Sequence, residues 1–339
     1  MIPVRPTSGS SARGHRRAGL LATLAAALTL GAVTIPAHAA TTAAPVALGA
    51  YAAGYSGTGS QLGQFEKRLG SKVAIASSFR GWGDIFPDAT QRADANAGHV
   101  LMVAWDLGAT SATRFTTFPA HQHDSYLAAE AKAARAYGKP LYVRPWAEMN
   151  GDWQPFQPTA SGSAPAGGTY AQFIAAWRYL VTFFRHAGAT NVRWIFNPTA
   201  DTYAQTTDVR SIWPGAAYVN VLGIDGYNWG RGGIFRWRSF SDIFNAQYLR
   251  LTSLSSTLPV WICEFGSKEP AEKDGAPLDP SHTKASWYSG AWSYLSNRPR
   301  IRSLVLFNTR KERDWRVESD AAALRTVHAK ATAATLLVR

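Results

Sequence analysis

Apolar and polar positions along the chain alternate between two rhythms. Short β-branched or aromatic runs at 48–54, 72–79, 99–107, 141–149, 192–197, 219–227, 259–265 and 301–308 predict eight buried strands. Stretches with apolar residues three and four apart predict helices at 61–69, 124–137, 170–186, 241–254, 282–295 and 321–337. Asp124 is placed to cap the second of these, and Gly188 closes the third.

Strands separated by helices require parallel pairing, and eight such units within about 250 to 300 residues fit a closed (β/α)8 barrel better than an open sheet. No Gly-x-Gly-x-x-Gly turn follows the first strand and no Walker lysine loop occurs, so nucleotide-binding open sheets lose their main support. The barrel directs attention to strand C-terminal ends, where such folds carry their chemistry.

Composition changes the picture at the N-terminus. Residues 1–17 carry Arg5, Arg13, Arg16 and Arg17 and no acid, residues 18–35 are apolar apart from threonines, and Ala37-His38-Ala39 offers small residues for cleavage. Residues 1–39 therefore predict a secretory signal peptide, leaving a single catalytic domain at 40–339 that is secreted and extracellular. The competing reading is a membrane anchor, which the Ala-x-Ala site disfavours. The chain has 35 Lys and Arg against 22 Asp and Glu, a net charge of +13, which becomes +9 once those four arginines are removed. These charges are scattered, which argues against nucleic acid as a partner and is compatible with adhesion to anionic cell-wall polymers. One cysteine, Cys263, excludes an internal disulfide; strand alternation turns it toward the helices as an inert thiol. His121, His123 and Asp124 lack a clear third metal ligand and read as a solvated loop, so no metal or cofactor is expected.

Two strand ends stand out chemically. The fourth strand runs into Arg144-Pro145-Trp146-Ala147-Glu148-Met149-Asn150-Gly151-Asp152-Trp153, and the seventh ends in Cys263-Glu264-Phe265-Gly266. A carboxylate in an otherwise apolar run is costly unless paired or used, and a structural Glu264 bonded to an arginine is the bland alternative. Two glutamates at one barrel mouth match glycoside hydrolysis, which needs a protonated acid and an ionised carboxylate about 5 Å apart for retention. In this reading Trp146 and Trp153 desolvate Glu148 and hold its proton, while Tyr227 and Arg144 keep Glu264 ionised. Arg144 reads equally well as an ion pair beneath the site.

These segments resemble glycoside hydrolase family 26, a family of retaining β-glycanases. The resemblance implies Glu148 as acid/base, Glu264 as nucleophile, Trp153 as an aromatic against the sugar, and Tyr227, within Gly223-Ile224-Asp225-Gly226-Tyr227-Asn228-Trp229, as a hydrogen-bond donor to the nucleophile. Trp105, Asp106, Arg144, Asn150, Trp229 and Trp315 complete the expected substrate-binding set, with Trp82 a further aromatic candidate. Asn197 and Asn308 end their strands, where an amide can bond a sugar hydroxyl or cap a loop. Loops at 161–168 and 268–281 are expected to border the cleft. One position departs from the family: mannanases usually have His before the acid/base, and here it is Ala147. The expected activity is a monomeric, secreted endo-β-glycanase acting on a polysaccharide, with β-1,4-mannan the first substrate and β-1,3/1,4-glucan or β-1,3-xylan the alternatives. A non-catalytic glycan-binding barrel is the competing class.

Overall fold

In the computed structural model, eight parallel strands close into one barrel. The described residues are 46–56, 58–108, 111–164, 167–201, 207–231, 235–270 and 279–333. The segment 1–39, expected to be a signal peptide, lies outside them, as do residues 165–166 of the first expected loop, 271–278 of the second and 334–337 of the last expected helix. The strands are β1 (Ala47–Ala52), β2 (Ile75–Arg80), β3 (Val100–Trp105), β4 (Leu141–Pro145), β5 (Val192–Phe196), β6 (Val221–Asn228), β7 (Val260–Ser267) and β8 (Ile301–Asn308). Each pairs with its chain neighbour, and closure comes from β1 against β8, in register from Ala47 with Ser303 to Ala52 with Asn308.

The helices among the described residues are α1 (Gln61–Leu69), α2 (Ala89–Asn96), α3 (Asp124–Tyr137), α4 (Tyr170–His186), α5 (Phe240–Leu254), α6 (Lys284–Leu295) and α7 (Ala321–Ala333). Apolar periodicity does not reveal α2, because its buried positions are only Gln91 and Ala95; a capping box between Asp88 and Gln91 starts it instead. Asp124 is the first helical residue of α3 rather than its cap, and its carboxylate pairs with His121 at 2.8 Å. Between β5 and β6 the described residues form only short 3-10 turns, Val209–Ile212 and Ala216–Tyr218.

Two apolar layers hold the barrel. The larger lies between strands and helices. The smaller fills the interior with Ala47, Ile75, Met102, Tyr142, Ile195, Val221, Trp261, Cys263 and Val305. Cys263 thus faces inward, contrary to the alternation read from the sequence. The reason is a β-bulge: Ile224 pairs with Ile262 but Asp225 pairs with Glu264, so Cys263 is an extra residue in β7. Trp261 and Cys263 point into the barrel before the bulge, and Glu264 points into its mouth after it. Gly49 of β1 marks how tightly the interior is filled, since a Cβ there would lie 2.7 Å from Cβ of Ile75.

Candidate active site

Above the interior layer, the C-terminal ends of the strands surround a cleft of about 930 Å³. Glu148, Trp153, Tyr227, Trp229, Glu264 and Trp315 all line it, as does Asp106. The two glutamates, 116 positions apart in the chain, therefore share one opening.

Local backbone breaks place Glu148. Strand β4 stops at Pro145 rather than continuing to Met149, and Trp146 and Glu148 take φ angles of 48° and 58°. Left-handed conformations are costly for residues with side chains and persist only where the surroundings enforce them. Here the Trp146 N–H donates to the Trp105 carbonyl at 3.2 Å and the Glu148 N–H to the Asn197 carbonyl at 2.7 Å, tying the segment to both neighbouring strands. The break sends Trp146 outward, fully buried against Phe115, Phe118, Phe173 and Trp177, and leaves Ala147 and Glu148 in the cleft. Trp146 therefore does not cover Glu148, as simple alternation suggested.

The surroundings of the two carboxylates differ. Burial, then the charge of Glu264, raises the Glu148 carboxyl to about 7, while the Trp153 indole opposes the rise. That indole donates to Glu148 Oε2 at 3.1 Å, and the Gln154 amide approaches the same oxygen at 3.4 Å. Glu264, only 7% exposed, is clasped from both sides: the Arg144 Nη2 donates to Oε1 and the Tyr227 hydroxyl to Oε2. Arg144 also donates from Nη1 to Asp225 Oδ2 at 2.8 Å. Burial opposes the Arg144 charge, but Asp225 and Glu264 outweigh it and hold the guanidinium firmly protonated. Burial pushes the Asp225 carboxyl well up, with Arg144 opposing that rise and Glu264 adding to it.

Several sequence expectations are corrected. Arg144 is fully buried beneath Glu264, so it touches the nucleophile candidate rather than an open sugar position. Asn150 is also buried; its amide donates to the Thr199 carbonyl at 3.2 Å and accepts the Thr199 N–H at 2.8 Å, bracing the loop after β5. Trp105 lines the cleft as expected, but its ring is fully buried, packed against Phe86 and Phe184. Trp315 lines the cleft but is buried in its floor, with its ring 4.9 Å from Tyr227 and 5.0 Å from Trp229. Asn308 bonds Tyr55 and Glu318 behind the cleft, and Asn197 is buried beside Asp225.

Other cleft residues were not singled out. Tyr51, Phe79 and Phe307, from the ends of β1, β2 and β8, form one aromatic wall with ring centroids 4.8 to 6.1 Å apart. Strand parity would have found them, since each shares a face with an interior residue, Ala47, Ile75 and Val305 respectively. Asp225 carries the same signal as Glu264, an isolated acid in an apolar strand. Arg310, Lys311 and Glu312 reach the cleft from the turn after β8.

A parallel eightfold barrel with paired carboxylates at its C-terminal mouth defines the glycoside hydrolase class. Within that class, residues 122–272, which include Glu148 and Glu264, belong to glycosyl hydrolase family 26, whose model they match. The chain is 34% identical over 270 residues to Endoglucanase H of Acetivibrio thermocellus, covering 78% of this chain and 28% of that protein. It is 36% identical over 93 residues to mannan endo-1,4-β-mannosidase A and B of Caldalkalibacillus mannanilyticus, covering 27% of this chain and 17% of that protein. The chain thus spans under a third of the length of either curated relative. Solved structures show the same fold: a family 26 β-mannanase from Bacteroides ovatus superimposes with a TM-score of 0.59 at 16% identity, over 86% of this chain and 90% of that one. An endo-β-1,4-mannanase double mutant from Cellulomonas fimi gives 0.59 at 19% identity, over 85% and 70%.

Proposed function

We propose that the protein is a secreted, monomeric, retaining endo-β-glycanase, released from its signal peptide after Ala39, that cleaves a polysaccharide by double displacement. One observation carries this: two glutamates share a glycan-sized cleft, one in surroundings that hold its proton near neutrality and the other clasped by cationic and hydroxyl donors. Glu148 protonates the glycosidic oxygen as Glu264 attacks the anomeric carbon. The aglycone leaves, and a glycosyl ester remains on Glu264. Glu148, now ionised, removes a proton from water, which attacks the anomeric carbon and frees Glu264. Arg144 and Tyr227 hold the attacking carboxylate in position, and Trp153 and Trp229 offer faces to the sugar rings.

β-1,4-Mannan and a β-1,3/1,4-glucan are the substrates to compare. Ala147 lines the cleft where family mannanases usually carry a histidine, and the relative matched over most of this chain is named an endoglucanase. Both favour the glucan, because a site lacking a hydrogen-bond donor discriminates against the sugar that needs it. The test is release of reducing ends from mannan, mixed-linkage glucan and β-1,3-xylan by wild type, Glu148→Gln and Glu264→Gln. Both substitutions are expected to cut turnover by about 10² to 10⁴-fold. Undiminished turnover in both would refute the assignment, and glycan binding without any cleavage by the wild type would establish a binding barrel instead.

A further inference from the structure

The cleft does not end at its lining residues. Strand β2 delivers Phe79, Arg80 and Gly81 to the cleft, and β3 delivers Asp106 beside them. The next residue along the first of these segments is Trp82, which is 36% exposed. Its ring is held from one side: the centroid lies 4.5 Å from Tyr126, 4.8 Å from His123 and 6.0 Å from Phe118, the last two in edge-on contact.

The supporting rings are themselves anchored. His123 Nε2 and the Thr117 hydroxyl lie 2.7 Å apart, the Tyr126 hydroxyl donates to the Asp84 carbonyl at 2.7 Å, and the Phe86 N–H donates to buried Glu130 at 3.1 Å. Ile85, 42% exposed, lies in the same short loop. An indole both fixed in orientation and open to solvent suits pyranose stacking, because little side-chain freedom is lost when the sugar arrives. Nothing in the chemistry at Glu148 and Glu264 uses this ring.

We propose that Trp82 is the platform of a distal subsite, at the β2–β3 end of the cleft, that binds a pyranose unit of the same glycan chain several residues from the scissile bond. The inference rests on the reading of the cleft as a glycan site. Its ligand is the continuing polysaccharide, and its effect is to favour long chains over short ones. Asp106, exposed on the cleft wall beside Arg80 and Gly81, is placed to accept hydroxyl hydrogen bonds from a bound sugar.

The experiment measures calorimetric affinity of the Glu148→Gln protein, with and without Trp82→Ala, for mannohexaose, a mixed-linkage glucohexaose and their trisaccharides. Kinetics of the two cleavable hexasaccharides with Trp82→Ala in the active enzyme run in parallel. Hexasaccharide affinity and kcat/KM are expected to fall about fivefold while trisaccharide affinity is unchanged, as loss of one stacking platform implies. Trp82→Phe, which keeps an aromatic ring on His123 and Tyr126, should restore most of the loss. Equal affinity in the parent and Trp82→Ala proteins, or an equal fall for hexa- and trisaccharides, overturns the subsite and leaves the assignment of the glutamates intact. No binding of any of these sugars by the parent overturns the glycan reading and the subsite together.

Discussion

At the scale of single residues, the site is organised by what surrounds two identical side chains. Glu148 and Glu264 differ in their donors and neighbouring charges, and in the proposed mechanism those differences separate a proton donor from a nucleophile. Because burial raises Glu148 to about 7 and the proposed mechanism uses its protonated form, kcat/KM should fall as pH rises through that value. The Trp153 indole favours the ionised form, so Trp153→Phe should move the alkaline limb of the pH profile upward. A downward or unchanged limb would show that this hydrogen bond does not tune the acid. Sequence made the two glutamates, Trp153 and Tyr227 visible because each sits in or just beyond a strand-end segment that resembles the family's. Of the two readings left open for Arg144, burial selects the ion pair beneath the site, and Asn150 is turned away from the sugar onto Thr199: residue type indicates what a group can bond, and only packing decides what it meets.

At the scale of elements, the strand ends depart from regular geometry where the chemistry is. The bulge in β7 turns Glu264 into the mouth on the same side as Cys263, where regular alternation would send it to the helices, and the left-handed residues after β4 exchange the positions expected for Trp146 and Ala147. Neither break is announced by hydrophobic periodicity, since both depend on hydrogen bonds to neighbouring strands. Helix α3 contributes differently, through Glu130, which accepts the Phe86 N–H of the loop bearing Trp82. Burial, eased by that bond and reinforced by the Asp84 charge, raises Glu130 to about 8. Its folded value lies above the ordinary carboxyl value, so its contribution to stability is complete below about pH 4.5 and is lost as pH rises toward 8. Glu130→Gln should remove this pH dependence, roughly 5 kcal/mol for a rise from 4.5 to about 8. Thermal melts at pH 5, 7 and 9 check it, and identical slopes in both proteins would reject it.

At the scale of the molecule, the barrel closes only if β1 lies tight against its neighbours. Gly49→Ala would place a Cβ 2.7 Å from the Cβ of Ile75 and 3.1 Å from its carbonyl oxygen. Overpacking there should cost about 1 to 3 kcal/mol, read as a lowered melting temperature with kcat little changed in the folded fraction. A melting temperature equal to wild type would mean that the interior layer can yield. The eight strands and most helices were legible in the chain, because burial on one or both faces imposes periods of two and 3.6 on any sequence that satisfies it. The choice of a closed parallel barrel followed from their order. What sequence alone could not determine is which residues meet: that Asp225 and Arg144 lie under Glu264, that Tyr51, Phe79 and Phe307 form one wall, and that Trp82 packs on Tyr126 and His123. Periodicity is a local property of the chain, whereas these contacts join strands far apart in sequence and depend on register, bulges and closure, which only the folded barrel sets.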